Sequence, residues 1–237
     1  WTAKLEELVT PKIQSIVSNQ LSRDAAKYFD IRAYLQFDET PLRIVPGSSG
    51  TATDLLTLTT NGTCTGTNNL AMRATHVKLV SDTMKERNIP AFPYFPNDKY
   101  GCIGHPSTFR TFKNDPEAIY QNTPQGFGWI VNGQIGVFED IVFIEQNFIP
   151  KGGAEDTTTF DAYANVADAW NNAKSSWAFF FGGDTCMEGI VVPEEVRGKL
   201  PGDYGRDKGM MWYYLGGFGL VRTAAGDATI LKWDSAA

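Results

Sequence analysis

The residues of this chain that could do chemistry are few and scattered. Gly62-Thr-Cys64-Thr-Gly66 has the glycine–x–nucleophile–x–glycine spacing that presents a thiol for acyl transfer. That elbow needs an apolar strand before it and a helix after it. Here Asn61-Gly62 precedes it and Thr67-Asn68-Asn69 follows, so the pattern reads as a β-turn. Cys102 and His105 have C-x-x-H spacing. On a strand, residues three apart point to opposite faces, so the two converge on a metal only if Gly104 turns the chain. The composition holds just two histidines, His76 and His105, which limits any Ser–His or Cys–His arrangement. Ser107 is close to His105, but no glycine cluster suited to an oxyanion accompanies it. Asp184, Glu188, Glu194, Glu195 and Asp203 form a pool of carboxylates for acid–base or glycosidic work. Acidic residues beside turns are ordinarily just solvated. Gly198-Lys199 lacks the flanking residues of a phosphate loop, and Gly216-Gly217-Phe218-Gly219 does not open a helix. We therefore assign no catalytic residue, no cofactor site and no metal site from the sequence, and expect no enzyme activity.

Composition narrows the classes further. The chain has 237 residues, 42% hydrophobic and 20% charged, enough for a substantial core. The formal net charge of −6 argues against a reader of nucleic acid, which needs clustered Lys and Arg. Three cysteines at wide spacing, Cys64, Cys102 and Cys186, make a poor disulfide framework. No run is long and apolar enough to span a membrane, and no secretory signal is visible.

Stepping along the chain gives the elements that would position these residues. Thr10-Pro11 is a helix start, and Ile13, Ile16, Val17, Leu21, Ala25 and Tyr28 recur at helical spacing. The pattern predicts one helix from Pro11 to Gln36, roughly 39 Å long. Residues 37–75 turn to β patterning, with Asn61-Gly62 as a hairpin turn. Val77, Val80 and Met84 mark a helix over His76–Asn88, ending before Pro90. Tyr100–Gly104 reads as a short strand and Pro106–Asn114 as a helix carrying Phe109 and Phe112. Residues 133–148 read as a turn and one strand, with Ile141-Val-Phe-Ile144 buried on both faces. Residues 151–175 read as a long surface loop. Trp177-Ala-Phe-Phe-Phe181 is a buried strand that Val191-Val192 would extend. Met210–Leu215 and Thr229–Trp233 complete the strands. The fold class expected is α+β.

Several blocks taken in order resemble one family. They are the long first helix, the β segment, the helix at His76, and Tyr100-Gly-Cys-Ile-Gly-His-Pro106 with its helix. Then come Gly133-Gln-Ile-Gly-Val-Phe-Glu-Asp-Ile-Val-Phe-Ile-Glu145, Phe180-Phe-Gly-Gly-Asp184, and Asp203-Tyr-Gly-Arg-Asp-Lys-Gly209 running into Trp212-Tyr-Tyr-Leu-Gly-Gly-Phe218. The chain resembles a tailed-phage (Caudoviricetes) major capsid protein of the Hong Kong 97 (HK97-like) fold, in the short-tailed-phage branch. The resemblance implies a spine helix (11–36) with a β segment in a peripheral domain (1–75), an axial domain (76–190), and a return to the peripheral domain (191–237). The N-terminal arm and extended loop that precede the spine helix in this family are not visible. Trp1 is accordingly expected to be an internal residue of a longer natural protein.

The same resemblance implies an icosahedral shell enclosing double-stranded DNA, held in hexamers and pentamers of this chain without sequence-specific DNA binding. A mildly acidic lining suits that. Portal, scaffolding and cement proteins are its implied partners, the virion its location, and the host cytoplasm its place of assembly, with no membrane. Asp203, Arg206, Asp207 and Lys208 put both charge signs into one turn and are the candidate assembly contacts, Arg206 being the planar, bidentate partner. Rival readings are an encapsulin-like nanocompartment shell, a hydrolase using Cys64 or a carboxylate pair, and a carbohydrate-binding β module suggested by the aromatics.

Overall fold

A computed structural model describes residues 13–49, 52–62, 70–95, 98–120, 134–146, 149, 175–199 and 209–236. The elements in chain order are α1 (Ile13–Asp38), β1 (Leu42–Ser49), β2 (Ala52–Thr59), α2 (Ala74–Glu86), β3 (Tyr100–Gly104) and α3 (Pro106–Tyr120). They continue with β4 (Gln134–Phe138), β5 (Ile141–Glu145), β6 (Ser175–Phe181), β7 (Cys186–Gly198), β8 (Met210–Leu220) and β9 (Ile230–Ala236). The mixed α+β class is as expected. No helix among the described residues is long and apolar enough to cross a membrane.

The chain divides into two compact units, residues 1–33 with 188–219, and residues 34–187 with 220–237. The expected boundary at 75/76 falls inside the larger unit, because β1 and β2 share a sheet with β3. The expected last stretch, 191–237, is divided, since β9 returns to the larger unit.

That larger unit is built on a seven-stranded sheet ordered β2-β1-β9-β6-β3-β5-β4. The pairs β1–β9 and β3–β5 are parallel; the others are antiparallel. Strand alternation sends Leu42, Ile44, Cys102, Ile141, Phe143, Phe180, Leu231 and Trp233 into one core, where Val77, Val80 and Met84 of α2 and Phe109 and Phe112 of α3 meet them. Phe109 stands edge-on to Phe143 at 5.6 Å. Each such ring or branched chain, fully buried, is worth about 1.5–3 kcal/mol. The opposite face carries Trp177, Phe179, Phe181 and Ile230 against Tyr34 at the end of α1. The sheet is therefore covered on both sides, with consequences for the charges within it.

Local chemistry explains most element ends. Helix α2 closes with Asn88 at φ 53, Asn88 N–H bonded to the Lys85 carbonyl (3.0 Å) and Ile89 N–H to the Met84 carbonyl (3.1 Å). This is a Schellman closure, and Ile89 and Met84 share one hydrophobic cluster. The stretch read as a turn and one strand is instead the hairpin β4–β5. Its turn, Glu139-Asp140, has φ 50 and 64, as a two-residue I′ connection requires. Neither residue is glycine, so the turn carried no sequence signal. It is held from α2, where Lys85 pairs with Asp140 at 3.0 Å and Ser81 Oγ donates to the Glu139 carbonyl at 3.1 Å.

Asn61-Gly62 also departs from expectation. It follows β2, residues 63–69 lie outside the described residues, and Gly62 N–H bonds back to the Pro41 carbonyl at 2.9 Å beside the open end of the β1–β2 hairpin. Helix α3 continues past Asp115-Pro116 to Tyr120, since one missing N–H interrupts a helical ladder without ending it. Val191-Val192 does not extend β6. The turn Gly182-Gly183-Asp184 ends that strand, and β7 pairs with β8 in a separate two-stranded sheet. Glycine is needed at 182, where a Cβ would collide with the Pro90 carbonyl oxygen.

Candidate functional site

The structure disperses the residues that the sequence singled out. Cys64 and the assembly candidates Asp203, Arg206, Asp207 and Lys208 lie outside the described residues, as do residues 151–174 of the expected loop. Cys102 is fully buried in the core, and that burial pushes its thiol well above the ordinary range, which suppresses the reactive thiolate. His105 does not join it. It is the residue before α3, with Pro106 at the first helical position. Its Nδ1 accepts the Ser107 N–H at 3.2 Å and lies 2.7 Å from the Ser107 hydroxyl. The Ser–His pair exists, but its geometry is that of a helix cap. Ser107 Oγ lies 3.3 Å from Ser176 Oγ, and Thr108 Oγ1 donates to the Trp177 carbonyl at 3.1 Å, tying the helix start to β6.

His76 has a comparable task. It is buried in the first turn of α2, where its Nδ1 accepts the Arg73 N–H at 3.3 Å, and its ring tilts against Trp233. Among the described residues, no group of three His, Cys, Asp or Glu side chains could hold a metal ion.

The carboxylate pool does not converge either. Asp184, exposed in a left-handed turn, faces Arg222 at 3.4 Å. Glu188 accepts the Tyr214 hydroxyl at 2.9 Å. Glu195 accepts from Arg197 Nε at 2.6 Å. Asp184, Glu188 and Glu195 thus have local partners, Glu194 lies near the same Tyr214 phenol as Glu188, and Asp203 is outside the described residues.

Two features that the sequence reading missed dominate the polar chemistry. The first is a buried charge cluster in the larger unit. Arg43 of β1 and Lys232 of β9 are register partners on neighbouring parallel strands, which places two cations side by side. Both are essentially inaccessible, as is Asp38 at the end of α1. Asp38 resolves the conflict. Its Oδ1 accepts Lys232 Nζ and lies 3.5 Å from Arg43 Nη1, while its carbonyl accepts Arg43 Nη2 at 2.7 Å. Lys232 Nζ also sits 3.4 Å from the Trp177 ring centre, a cation–π contact. The cluster ties three elements together, while the second oxygen of Asp38, Oδ2, is buried without a hydrogen-bond partner.

The second feature is the ribbon β7–β8 with the first part of α1. Phe29 meets Tyr214 edge-on at 4.8 Å, Tyr28 meets Trp212 at 5.3 Å, and Trp212 Nε1 donates to Asp24 at 3.0 Å. Desolvation at this packed ring, and then the bond to Glu188, push the Tyr214 phenol up to about 12. These contacts use the even-numbered residues of β8, so alternation turns Met211, Tyr213 and Leu215 to the other face. Arg197 covers Tyr213 at 3.9 Å, which puts Glu195 and Arg197 on that face as well. There Val191 is 75% exposed, Met211 55% and Leu215 48%. Ile190 (53%) and Val196 (54%) of β7 are exposed as well, so exposed apolar side chains run along the ribbon on both faces, as at contact surfaces.

Comparison with known proteins bears on fold alone. No family model matches this chain, and no curated protein matches it. Solved structures do. A chain of the cyanophage Pam1 capsid asymmetric unit aligns with TM-score 0.67 at 12% identity, over 100% of this chain and 72% of that one. A chain of the capsid of Ralstonia phage GP4 aligns with TM-score 0.64 at 14% identity, over 100% and 70%. A chain of the capsid of cyanophage P-SCSP1u aligns with TM-score 0.61 at 14% identity, again over 100% and 70%. At such identities the shared property is the path of the backbone.

Proposed function

We propose that this chain is a major capsid protein of the HK97-like fold, a structural subunit that assembles with copies of itself into an icosahedral shell around phage double-stranded DNA. The observation that carries this reading is the alignment of the whole chain, at TM-scores of 0.61–0.67, with subunits of three phage capsids. The distribution of side chains supports it. Among the described residues His105, Asp184 and Asp38 are engaged in a cap, a local ion pair and a buried cluster, while apolar side chains stand exposed on the ribbon. A shell subunit needs repeated moderate contacts rather than one deep polar cleft.

In this reading α1 is the spine helix, and the unit formed by residues 1–33 and 188–219 belongs to the peripheral domain. The short-tailed-phage branch, hexamers and pentamers, and portal, scaffolding and cement partners complete the proposal. So do a virion location after assembly in the host cytoplasm and the absence of catalysis. The turn Asp203–Lys208 remains the proposed assembly contact.

Electron microscopy of particles formed by the expressed protein tests the proposal. Icosahedral particles, or free hexamers and pentamers, are the expected result, with DNA inside when the packaging machinery is supplied. Closed particles that hold protein cargo instead would move the assignment to a nanocompartment shell. A stable monomer that never associates would overturn the shell reading altogether.

A further inference from the structure

Asn61-Gly62 has no part in the shell reading, yet its chemistry and its geometry pull in opposite directions. Asparagine followed by glycine is the dipeptide whose backbone closes most readily on the asparagine side chain, because glycine puts no side chain in the way. Two such pairs occur in this sequence, Asn61-Gly62 and Asn132-Gly133, and the first lies among the described residues. Asn61 is exposed to water, and Gly62 has φ 78 with open space where a Cβ would stand. Both features favour reaction. Opposing them is one bond, in which Gly62 N–H donates to the Pro41 carbonyl at 2.9 Å. The acceptor is fixed on both sides. Thr40, which is buried, donates through Oγ1 to the Ile230 carbonyl of β9 at 2.5 Å, and the same oxygen accepts the Leu42 N–H at 3.4 Å.

We propose that Asn61 is a site of spontaneous deamidation, held in check for as long as Gly62 stays tied to Pro41. The only co-reactant is water. The Gly62 nitrogen gives up its proton and attacks Asn61 Cγ. A five-membered imide forms, and the side-chain nitrogen leaves as ammonia, carrying a proton equivalent to the one lost. Water then opens the ring. Opening at Cγ gives aspartate; opening at the Asn61 main-chain carbonyl gives isoaspartate, whose peptide link runs through Cβ and Cγ. Asparagine and water thus become an acidic residue and ammonia, with no change of oxidation state. The first step needs the Gly62 nitrogen without its proton, and an N–H bound to a carbonyl keeps it. Reaction therefore runs through the fraction of molecules in which this tie is broken. One backbone hydrogen bond shifts such an equilibrium by about two- to tenfold. Isoaspartate lengthens the chain between residues 61 and 62 by one carbon, which carries Gly62 off Pro41. The product therefore keeps the tie broken and adds a negative charge beside the end of the hairpin.

Incubation of the full chain at mildly alkaline pH, native and in guanidinium chloride, tests this. Trypsin places Asn61 in the peptide 44–73 and Asn132 in the peptide 114–151, where tandem mass spectrometry reads the replacement of NH by O at each residue. In denaturant the two asparagines should convert at similar rates. In the native protein Asn61 should convert more slowly than in denaturant, by about two- to tenfold or more, and hydrogen exchange at the Gly62 amide should slow with it. Equal rates for Asn61 in the native and denatured protein would overturn the proposal. So would slow conversion of native Asn61 beside a Gly62 amide that exchanges freely, because the restraint would then lie elsewhere. An Asn61 that stays intact in denaturant would show that it is no such site. None of these outcomes depends on whether the chain forms particles.

Discussion

Replacing Asp38 by asparagine should destabilise the larger unit far more than the loss of an ordinary charge. Asp38 is the carboxylate that both Arg43 and Lys232 approach, and all three side chains are at most 2% exposed. Asparagine keeps the shape and one acceptor oxygen but removes the negative charge that both buried cations approach. Removing one partner of a buried pair costs about 3–5 kcal/mol. In a chain of this size each kcal/mol moves the melting temperature by about 2–4 °C, so the expected fall is roughly 6–20 °C. Lys232→Met, by contrast, removes one cation yet keeps the aliphatic stem against Trp177, and should cost less. In the double variant Asp38→Asn with Lys232→Met, one of the stranded cations is gone. Its loss should be smaller than the sum of the single losses by about 0.5–3 kcal/mol. Urea unfolding of all four proteins, followed by tryptophan fluorescence, measures this coupling. An Asp38→Asn protein within about 1 kcal/mol of wild type, or strict additivity, would refute the account of Asp38 as the shared counter-ion.

Other expectations follow from the same structure. Gly182→Ala should cost roughly 1–3 kcal/mol, because the added methyl meets the Pro90 carbonyl, and denaturant midpoints read this directly. Cys102 should resist iodoacetamide in the folded protein at mildly alkaline pH and react on unfolding, since burial raises its pKa; rapid labelling of native Cys102 would contradict its placement. The Lys85 amine is raised by its hydrogen bond to Asp140, and so contributes stability present below the ordinary lysine range and lost as pH climbs through its raised value. Asp140→Asn should abolish that alkaline-side loss in melting curves taken across pH. In absorbance titration one tyrosine should ionise near 12 and disappear in Tyr214→Phe. Arg206→Ala should impair particle formation while leaving the melting temperature of the subunit unchanged; normal particles from this variant would count against the Asp203–Lys208 turn as an assembly contact.

The legible parts of this fold were those written in local patterns. The 3.6-residue recurrence from Ile13 to Tyr28 announced α1, and the turn chemistry before Pro90 announced the end of α2. Continuous apolar runs announced β5 and β6 because both faces of those strands are buried. The hairpin β4–β5 stayed hidden, since Glu139 and Asp140 take left-handed conformations only under ties from α2 and β3. His105 could be read as extended before Pro106, but its role as a cap needed the helix on which it acts.

By itself the sequence determined the class, the long first helix and the poverty of catalytic groups, because helical period, strand runs and motif spacing are properties of neighbours in the chain. Tertiary structure alone decided where the charges go. Arg43 and Lys232 look locally like solvent-facing positions of alternating strands. They are buried because α1 covers the face on which they stand, and Asp38, 194 residues from Lys232, is brought there by the fold. Tertiary structure likewise paired β7 with β8 in a sheet separate from the main one. Which strands become neighbours depends on long-range pairing, and no local signal carries that information.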